Sequence, residues 1–325
     1  MERAGRPHLS ICASATGLLV LLLPLAVYPQ SEKKTQAQTT QIVLLGTGTP
    51  SPDPERSGPA TAVVVNGTPY LIDFGPGVVR RIAGASQKAV AGLTVVNVRV
   101  AFLTHLHSDH TAGYPDLILT PWSVGRSQPL DVYGPAGLEH MTAHILDAYR
   151  EDIAIRRRDK QVLGVPEQAD GYKVQAHEIK PGIVYKDQNA TVKAFLVNHG
   201  DVPQAFGYRI ETPDRTIVIS GDTAPSQSVI DSCNGCDVLI HEAYSMFTYN
   251  RVPPRDQARR KQLHTSSLEL AEIARRARPG LLVLYHRSSI GGFVAGVPNP
   301  EDVLLQELTA VYHGKVVTGH DLDIF

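Results

Sequence analysis

Cysteine is nearly missing: 3 in 325 residues, with Cys12 far from the pair Cys233 and Cys236. So few exclude a disulfide framework, and a lone Cys-x-x-Cys without a second pair excludes a structural zinc site. In an oxidising compartment Cys233 and Cys236 can close one small disulfide; two ordinary buried thiols is the preferred reading. An excess of either charge is also absent, since 31 Lys+Arg face 32 Asp+Glu. That balance excludes a global basic field of the kind that concentrates nucleic acid. Aromatics are sparse, at 6% with one Trp. Internal repeats and long low-complexity tracts are absent, which excludes a repeat architecture. No Ser/His/Asp arrangement offers a side-chain nucleophile.

What is present is an apolar fraction of 42%, ample for a core, in a chain long enough for one large or two ordinary domains. Residues 1–30 stand apart. Arg3 and Arg6 form a basic head and Ile11 to Val27 is almost continuously apolar. This is the layout of a secretory signal peptide, or of an uncleaved N-terminal membrane anchor near the lower length limit for spanning a bilayer. Residues 31–40 are polar and linker-like, so residues 41–325 are expected to form the working domain, secreted or periplasmic and possibly anchored.

The densest chemistry lies in Thr104-His105-Leu106-His107-Ser108-Asp109-His110, directly after the apolar run from Val98 to Leu103. On an extended segment His105 and His107 project from one side, whereas Asp109 and His110 turn elsewhere as the next element begins. One segment can therefore supply ligands to two neighbouring metals, and imidazole with carboxylate suits zinc and related ions. The same arrangement recurs. Apolar runs end at Asn198-His199, at Gly221-Asp222, at His241-Glu242 and at His286. Strand ends converge above a rigid sheet, which is where function collects.

Other segments carry weaker signals. Gln41 to Leu45 reads as a buried strand; Ala62 to Val65 and Tyr70 to Ile72 read as a hairpin turned by Asn66-Gly67. Asp73 is either a partner orienting a ligand imidazole or a turn residue. Pro135 to Tyr149 reads as helix, with His140 and His144 assigned to surface or packing, and residues 140–180 as helix plus a short connection. Trp122 fits either a substrate pocket or the core. Arg156-Arg157-Arg158-Asp159-Lys160 is the basic run that stands out, and no aromatic interleaves it for base stacking. Ser266 and Glu269 fit a capping box opening a helix to Ala277, which leaves His264 on a loop.

Taken together, His105-x-His107-x-Asp109-His110, His199, Gly221-Asp222-Thr223 and His286 resemble the metallo-β-lactamase superfamily. Leu45-Gly46-Thr47-Gly48, His241-Glu242-Ala243 and His264-Thr265-Ser266 resemble its ribonuclease Z and arylsulfatase-like branch. The resemblance implies an α/β (α+β) class, four-layer αββα sandwich. It also implies a dinuclear site holding two Zn2+, with Mn2+ or Fe2+ accepted by the same donors. His105, His107 and His199 would hold the first metal and Asp109, His110 and His286 the second, with Asp222 bridging. His264 would be the general acid/base and Glu242 the carboxylate that holds it, with Asp109 counted in the catalytic set as well.

Such a site implies hydrolysis by a metal-bridging hydroxide. The first expectation is an exported hydrolase of a small anionic ester, an aryl sulfate or a phosphodiester. The alternative is a ribonuclease Z-type tRNA 3′-processing endonuclease, which export and balanced charge disfavour; a lactonase-like hydrolase is a further alternative. Dimers are common in that branch, so a homodimer is compatible with the resemblance, while the sequence itself leaves the oligomeric state open.

Overall fold

The computed structural model describes residues 40–88, 90–162, 170–287 and 300–325. The segment read as a signal or anchor lies outside the described residues. Thr40, assigned to the linker, is instead the first residue of a strand. Among the described residues no helix is long and apolar enough to cross a membrane.

The first sheet has 6 strands in sequential order: β1 (Thr40–Gly46), β2 (Ala60–Val65), β3 (Thr68–Ile72), β4 (Val100–Phe102), β5 (Leu130–Gly134) and β6 (Val174–Glu178). The second has 7, again in sequential order: β7 (Gly182–Lys186), β8 (Thr191–Val197), β9 (Ala205–Glu211), β10 (Thr216–Ile219), β11 (Val238–Ala243), β12 (Leu281–Arg287) and β13 (Val316–Thr318). Each sheet begins as an antiparallel meander and ends in parallel pairs, which start at β3–β4 and at β10–β11. Parallel neighbours need long crossovers, and these supply the outer helices. Tyr114–Ser123 and Leu138–Ala148 serve the first sheet; Gln227–Cys233, Ser267–Ala277 and Pro300–Thr309 serve the second.

Period-two alternation within the apolar strands separates three layers of core. Ile42 and Leu44, Val63 and Val65, and Tyr70 and Ile72 face inward, where they meet Val192, Ile217, Ile240 and Val283 of the second sheet. Their alternates Val43, Leu45, Val64 and Leu71 pack under Val79, Ile82, Leu117 and Leu138 of the first helix layer. Val218, Leu239, Leu282 and Leu284 pack under Val229, Leu270, Ala274 and Leu308 of the other. Two sheets between two helix layers make the αββα sandwich.

Local chemistry accounts for the turns and ends. Asn66 and Gly67, at φ 53° and 75°, form the hairpin turn that needs positive φ at both positions. Ser266 and Glu269 close the capping box of Ser267–Ala277 in both directions. The predicted helix from Pro135 starts only at Leu138, because Gly137, at φ 100°, turns the chain there. The single helix and short connection expected over 140–180 are two helices, the second being Arg150–Val162. Trp122 is core: it is 1% exposed and packs on Tyr172 with ring centroids 5.2 Å apart. His140 and His144 are exposed, as expected. The preference for two thiols is overturned, since Cys233 and Cys236 are disulfide-bonded. Asn234 and Gly235 both adopt positive φ, and that reversal brings the two cysteines together.

Phe102 is buried between the sheets, 5.4 Å from the Tyr133 ring and 5.6 Å from the Tyr208 ring. Phe102→Ala is expected to lower unfolding free energy by about 3–5 kcal/mol in urea titration. A loss below about 1 kcal/mol would mean the inter-sheet layer is loosely packed.

Candidate metal centre

All the predicted strand ends meet at one edge of the sandwich. The chain leaves β3 at Asp73, whose backbone is left-handed (φ 58°), a conformation Asp tolerates better than most residues. Its carboxylate accepts from Thr104 N at 2.8 Å, Thr104 Oγ1 at 3.0 Å and His110 Nδ1 at 2.9 Å. Thr104 Oγ1 in turn lies 3.0 Å from His105 Nδ1. One buried carboxylate thus holds His110 directly and His105 through a hydroxyl, leaving Nε2 of both rings for the centre. Of the two readings of Asp73, the orienting partner is the one realised. The loop is seated by close backbone approach: a Cβ on Gly75 would lie 2.3 Å from the Asp109 carbonyl oxygen.

From the second sheet, His199 follows β8 and donates Nδ1–H to the Leu263 carbonyl at 2.8 Å, which again frees Nε2. Asp222 follows β10 through Gly221, whose φ of 62° suits glycine and whose Cβ would meet Phe206 O at 2.8 Å. His286 sits at a bulge: Glu242 pairs with Tyr285 and Ala243 with Arg287, so His286 is the extra residue. It has φ 41°, strain of about 1–3 kcal/mol that the surrounding sheet sustains. The bulge takes the imidazole out of strand alternation and aims it at Asp109 and Asp222.

Among the described residues four overlapping groups of donor atoms result. Two of them have no residue in common: His105, His107 and His199, and Asp109, His110 and His286; Asp222 joins His105 and His110 in the third and His199 and His264 in the fourth. His107 Nδ1 lies 2.9 Å from His105 Nε2 and 3.2 Å from His199 Nε2. Both of those nitrogens present lone pairs, and a single N–H cannot satisfy the two. Asp222 stands between the first two of these groups. Its Oδ1 is 3.5 Å from His110 Nε2 and 3.4 Å from His286 Nδ1; its Oδ2 is 4.0 Å from His199 Nε2. His110 Nε2, His286 Nδ1 and Asp222 Oδ1 are buried without a hydrogen-bond partner. Orphaned donors of this kind facing a common point fit divalent cations.

The electrostatics of three of the imidazoles agree with that fit. Burial pushes the His105, His107 and His199 imidazoles down, which keeps them neutral with lone pairs to give. Burial would also lower His110 and raise Asp222. Asp73 and Asp222 nonetheless hold the His110 imidazole up, and His286 and His110 hold the Asp222 carboxyl well below the usual range.

His264 flanks Asp222 Oδ2 at 4.0 Å, and its Nδ1 lies 3.2 Å from Glu242 Oε1. Burial lowers its affinity for a proton, but the Glu242 and Asp222 charges prevail and lift the imidazole to about 9. Cations at Asp222 would compete for that carboxylate and bring His264 back toward neutrality. Glu242 is fully buried on β11, and the same Oε1 also accepts from Thr223 N and Thr265 N, both at 3.2 Å. Sequence reading missed these two amides and the Leu263 carbonyl, because backbone donors and acceptors leave no mark on residue type; it quoted Thr104 without a role, since the partners of its hydroxyl are set by the fold. Beside Asp109 a cavity of about 680 Å³ opens between the metal loop and the Pro-rich segment that includes Pro50, Arg56 and Ser57.

Residues 68–287 match the β-lactamase superfamily domain. The chain therefore belongs to the β-lactamase superfamily, in the metallo-hydrolase arm that this fold and donor set define. Within it, ribonuclease Z of Mycobacterium bovis is 32% identical over 286 residues, covering 87% of this chain and 96% of that protein. A ribonuclease Z of Mycobacterium sp. (strain KMS) is 34% identical over 248 residues, 76% of this chain and 83% of the relative. Among solved structures, the metallo-β-lactamase fold protein YhfI from Bacillus subtilis superposes with TM-score 0.65 at 19% identity, covering 88% and 99% of the two chains. The short form of human tRNase Z does so with TM-score 0.58 at 22% identity, covering 88% and 98%.

Wild-type protein loaded with zinc is expected to hold about two ions per chain. Asp222→Ala should lose both ions together with activity; a variant still holding both by elemental analysis would remove Asp222 from the ligand set. A second expectation concerns metal-free protein. A proton held more tightly in the folded state stabilises it at low pH. The stability difference between wild type and His264→Gln should therefore be fully present below pH 6.5 and vanish as pH rises through about 9. A difference that instead grows across that window would reverse the sign of the His264–Glu242 coupling.

Proposed function

We propose that this chain is a metal-dependent phosphodiesterase of ribonuclease Z type, hydrolysing RNA, with precursor tRNA as the substrate suggested by its relatives. The observation that carries this reading is the His264–Glu242 pair beside Asp222, a proton donor held at the edge of a site built for cations. His105, His107 and His199 would hold one ion and Asp109, His110 and His286 the other, with an oxygen of Asp222 toward each. The nitrogen-rich donor set suits zinc, and manganese and iron are accommodated by the same ligands. When bound, a cation pair supplies Lewis acidity to the scissile group and lowers the pKa of water.

The chain's own residues do the rest. Asp73 and the Leu263 carbonyl keep the imidazoles oriented, so little reorganisation accompanies substrate binding. Glu242 takes the Nδ1–H of His264, leaving Nε2 as the atom from which a proton passes to the departing oxygen. Glu242 itself is held by the Thr223 and Thr265 amides, so the donor keeps its place while the substrate changes.

A second reading, an exported hydrolase of a small anionic ester such as an aryl sulfate, is favoured by two observations. The Cys233–Cys236 disulfide suits an oxidising compartment, and the apolar run from Ile11 to Val27 suits export to one. The test is a substrate panel of precursor tRNA, bis(p-nitrophenyl) phosphate and p-nitrophenyl sulfate on the full metal-loaded chain. RNA cleavage with the highest kcat/KM supports the ribonuclease reading; sulfate turnover with intact RNA overturns it. Within the panel, His264→Ala should lose about 10²–10⁴-fold on the poor leaving group of RNA and far less on nitrophenolate. Equal losses would remove His264 as the proton donor.

A further inference from the structure

The helix Pro254–Leu263 runs directly into the centre and carries chemistry that the catalytic assignment does not use. The sequence reading singles out Arg156 to Lys160 and passes over Arg251, Arg255, Arg259, Arg260 and Lys261, among which Asp256 is the one acid. The helix is fixed to the site at its end. The Leu263 carbonyl accepts from His199 Nδ1 at 2.8 Å, and His264 N donates to Arg260 O at 2.8 Å. A Cβ on Gly200 would lie 2.5 Å from Leu263 Cδ2, so the loop after His199 and this helix share one close contact.

The two faces of the helix differ. Asp256, Gln257, Arg260 and Leu263 are half-buried at spacing i, i+1, i+4 and i+7, the stripe of a helix laid against the body of the protein. Arg255, Arg259 and Lys261 are exposed. Several exposed arginines elsewhere have acidic partners: Arg80 with Asp116, Arg150 with Asp147, Arg156 with Asp152 and Arg275 with Glu272. Among the described residues Arg259 and Lys261 make no ion pair, and Arg255 has only its neighbour Asp256, at 3.5 Å. Arg251, just before the helix, extends the positive face and is held by its guanidinium over the Phe247 ring.

Charge of one sign left uncompensated beside a site for anionic esters selects for an anion. Distance then selects its kind. Arg255 lies eight residues before Leu263, about 12 Å along the helix axis. A small ester held at Asp222 and His264 does not reach that far, whereas a polyanion does. We infer that the exposed side of Pro254–Leu263 is a track for the sugar–phosphate backbone of the RNA strand whose scissile phosphate enters the centre, with Arg255 and Arg259, one turn apart on one flank, and Lys261, on the other flank where the strand crosses the helix, each taking a phosphate. The inference rests on the ribonuclease reading for its choice of ligand. It adds a surface that positions the strand and carries no base specificity.

The test uses the full metal-loaded chain and the triple variant Arg255→Ala/Arg259→Ala/Lys261→Ala, whose exposed positions leave the fold intact. Binding of a fluorescein-labelled single-stranded RNA is followed by anisotropy across a KCl series, and hydrolysis of bis(p-nitrophenyl) phosphate is measured alongside. Loss of three phosphate contacts should flatten the slope of log Kd against log salt by about 2, with RNA binding weakened at least about tenfold at low salt. The small ester should be hydrolysed within about twofold of wild type, because it never reaches the track. Arg255→Lys/Arg259→Lys should restore most of the slope, since Lys also neutralises phosphate. An unchanged slope overturns the track, as does an equal loss on the small ester. RNA that wild type binds with a slope the triple variant loses, yet never cuts, removes the ribonuclease reading and leaves the track standing. RNA that is cut normally by a triple variant with unchanged slope does the reverse.

Discussion

A carboxylate buried between imidazoles is the interaction on which the rest depends. Asp222 is 3% exposed, and removal of its charge from water is unfavourable unless partners surround it. Those partners arrive from both sheets: His110 from the short helix Ser108–Thr111 after β4, His199 after β8 and His286 from the bulge in β12. Two further buried carboxylates support the arrangement. Asp73 organises the first-sheet side through Thr104 and His110, and Glu242 organises the second through Thr223, His264 and Thr265. Each sheet therefore contributes its own brace, and Asp222 is where they meet.

The sandwich makes that meeting possible. Strands that alternate between an inner core and an outer helix layer leave their ends along one edge, and the sheets are tied there directly. Phe206 N donates to the Thr104 carbonyl at 2.9 Å, and Tyr208 OH donates to the Leu103 carbonyl at 2.7 Å. Precision at the centre is thus a property of close-packed strands. The strained backbone of His286 is sustained for the same reason, since β11 and β13 hold β12 on either side.

Much of this was legible in the sequence. Four chelating side chains between His105 and His110 and a run of polar strand ends pointed to one site, because donors of this chemistry seldom cluster without a cation. Asn66-Gly67 and the Ser266–Glu269 capping box were legible because their backbone requirements are local. The Cys233–Cys236 bond was not, since a thiol pair reads the same whether bonded or free until Asn234 and Gly235 turn the chain back. Arg255, Arg259 and Lys261 were passed over for a related reason. A charge run gains meaning from what lies at the end of its helix, and His199 is 64 residues from the Leu263 carbonyl that holds it.

Sequence by itself determined the alternating strands, the caps, the donor residues and their resemblance to a metallo-hydrolase superfamily, because each depends on residue type and short spacing. Tertiary structure alone decided which donors lie together, which imidazole nitrogen faces the centre and where His286 points. Those outcomes depend on backbone amides and carbonyls, and on a bulge set by the pairing of β11 with β12. Contacts between distant segments carry that information, and no stretch of the chain contains it.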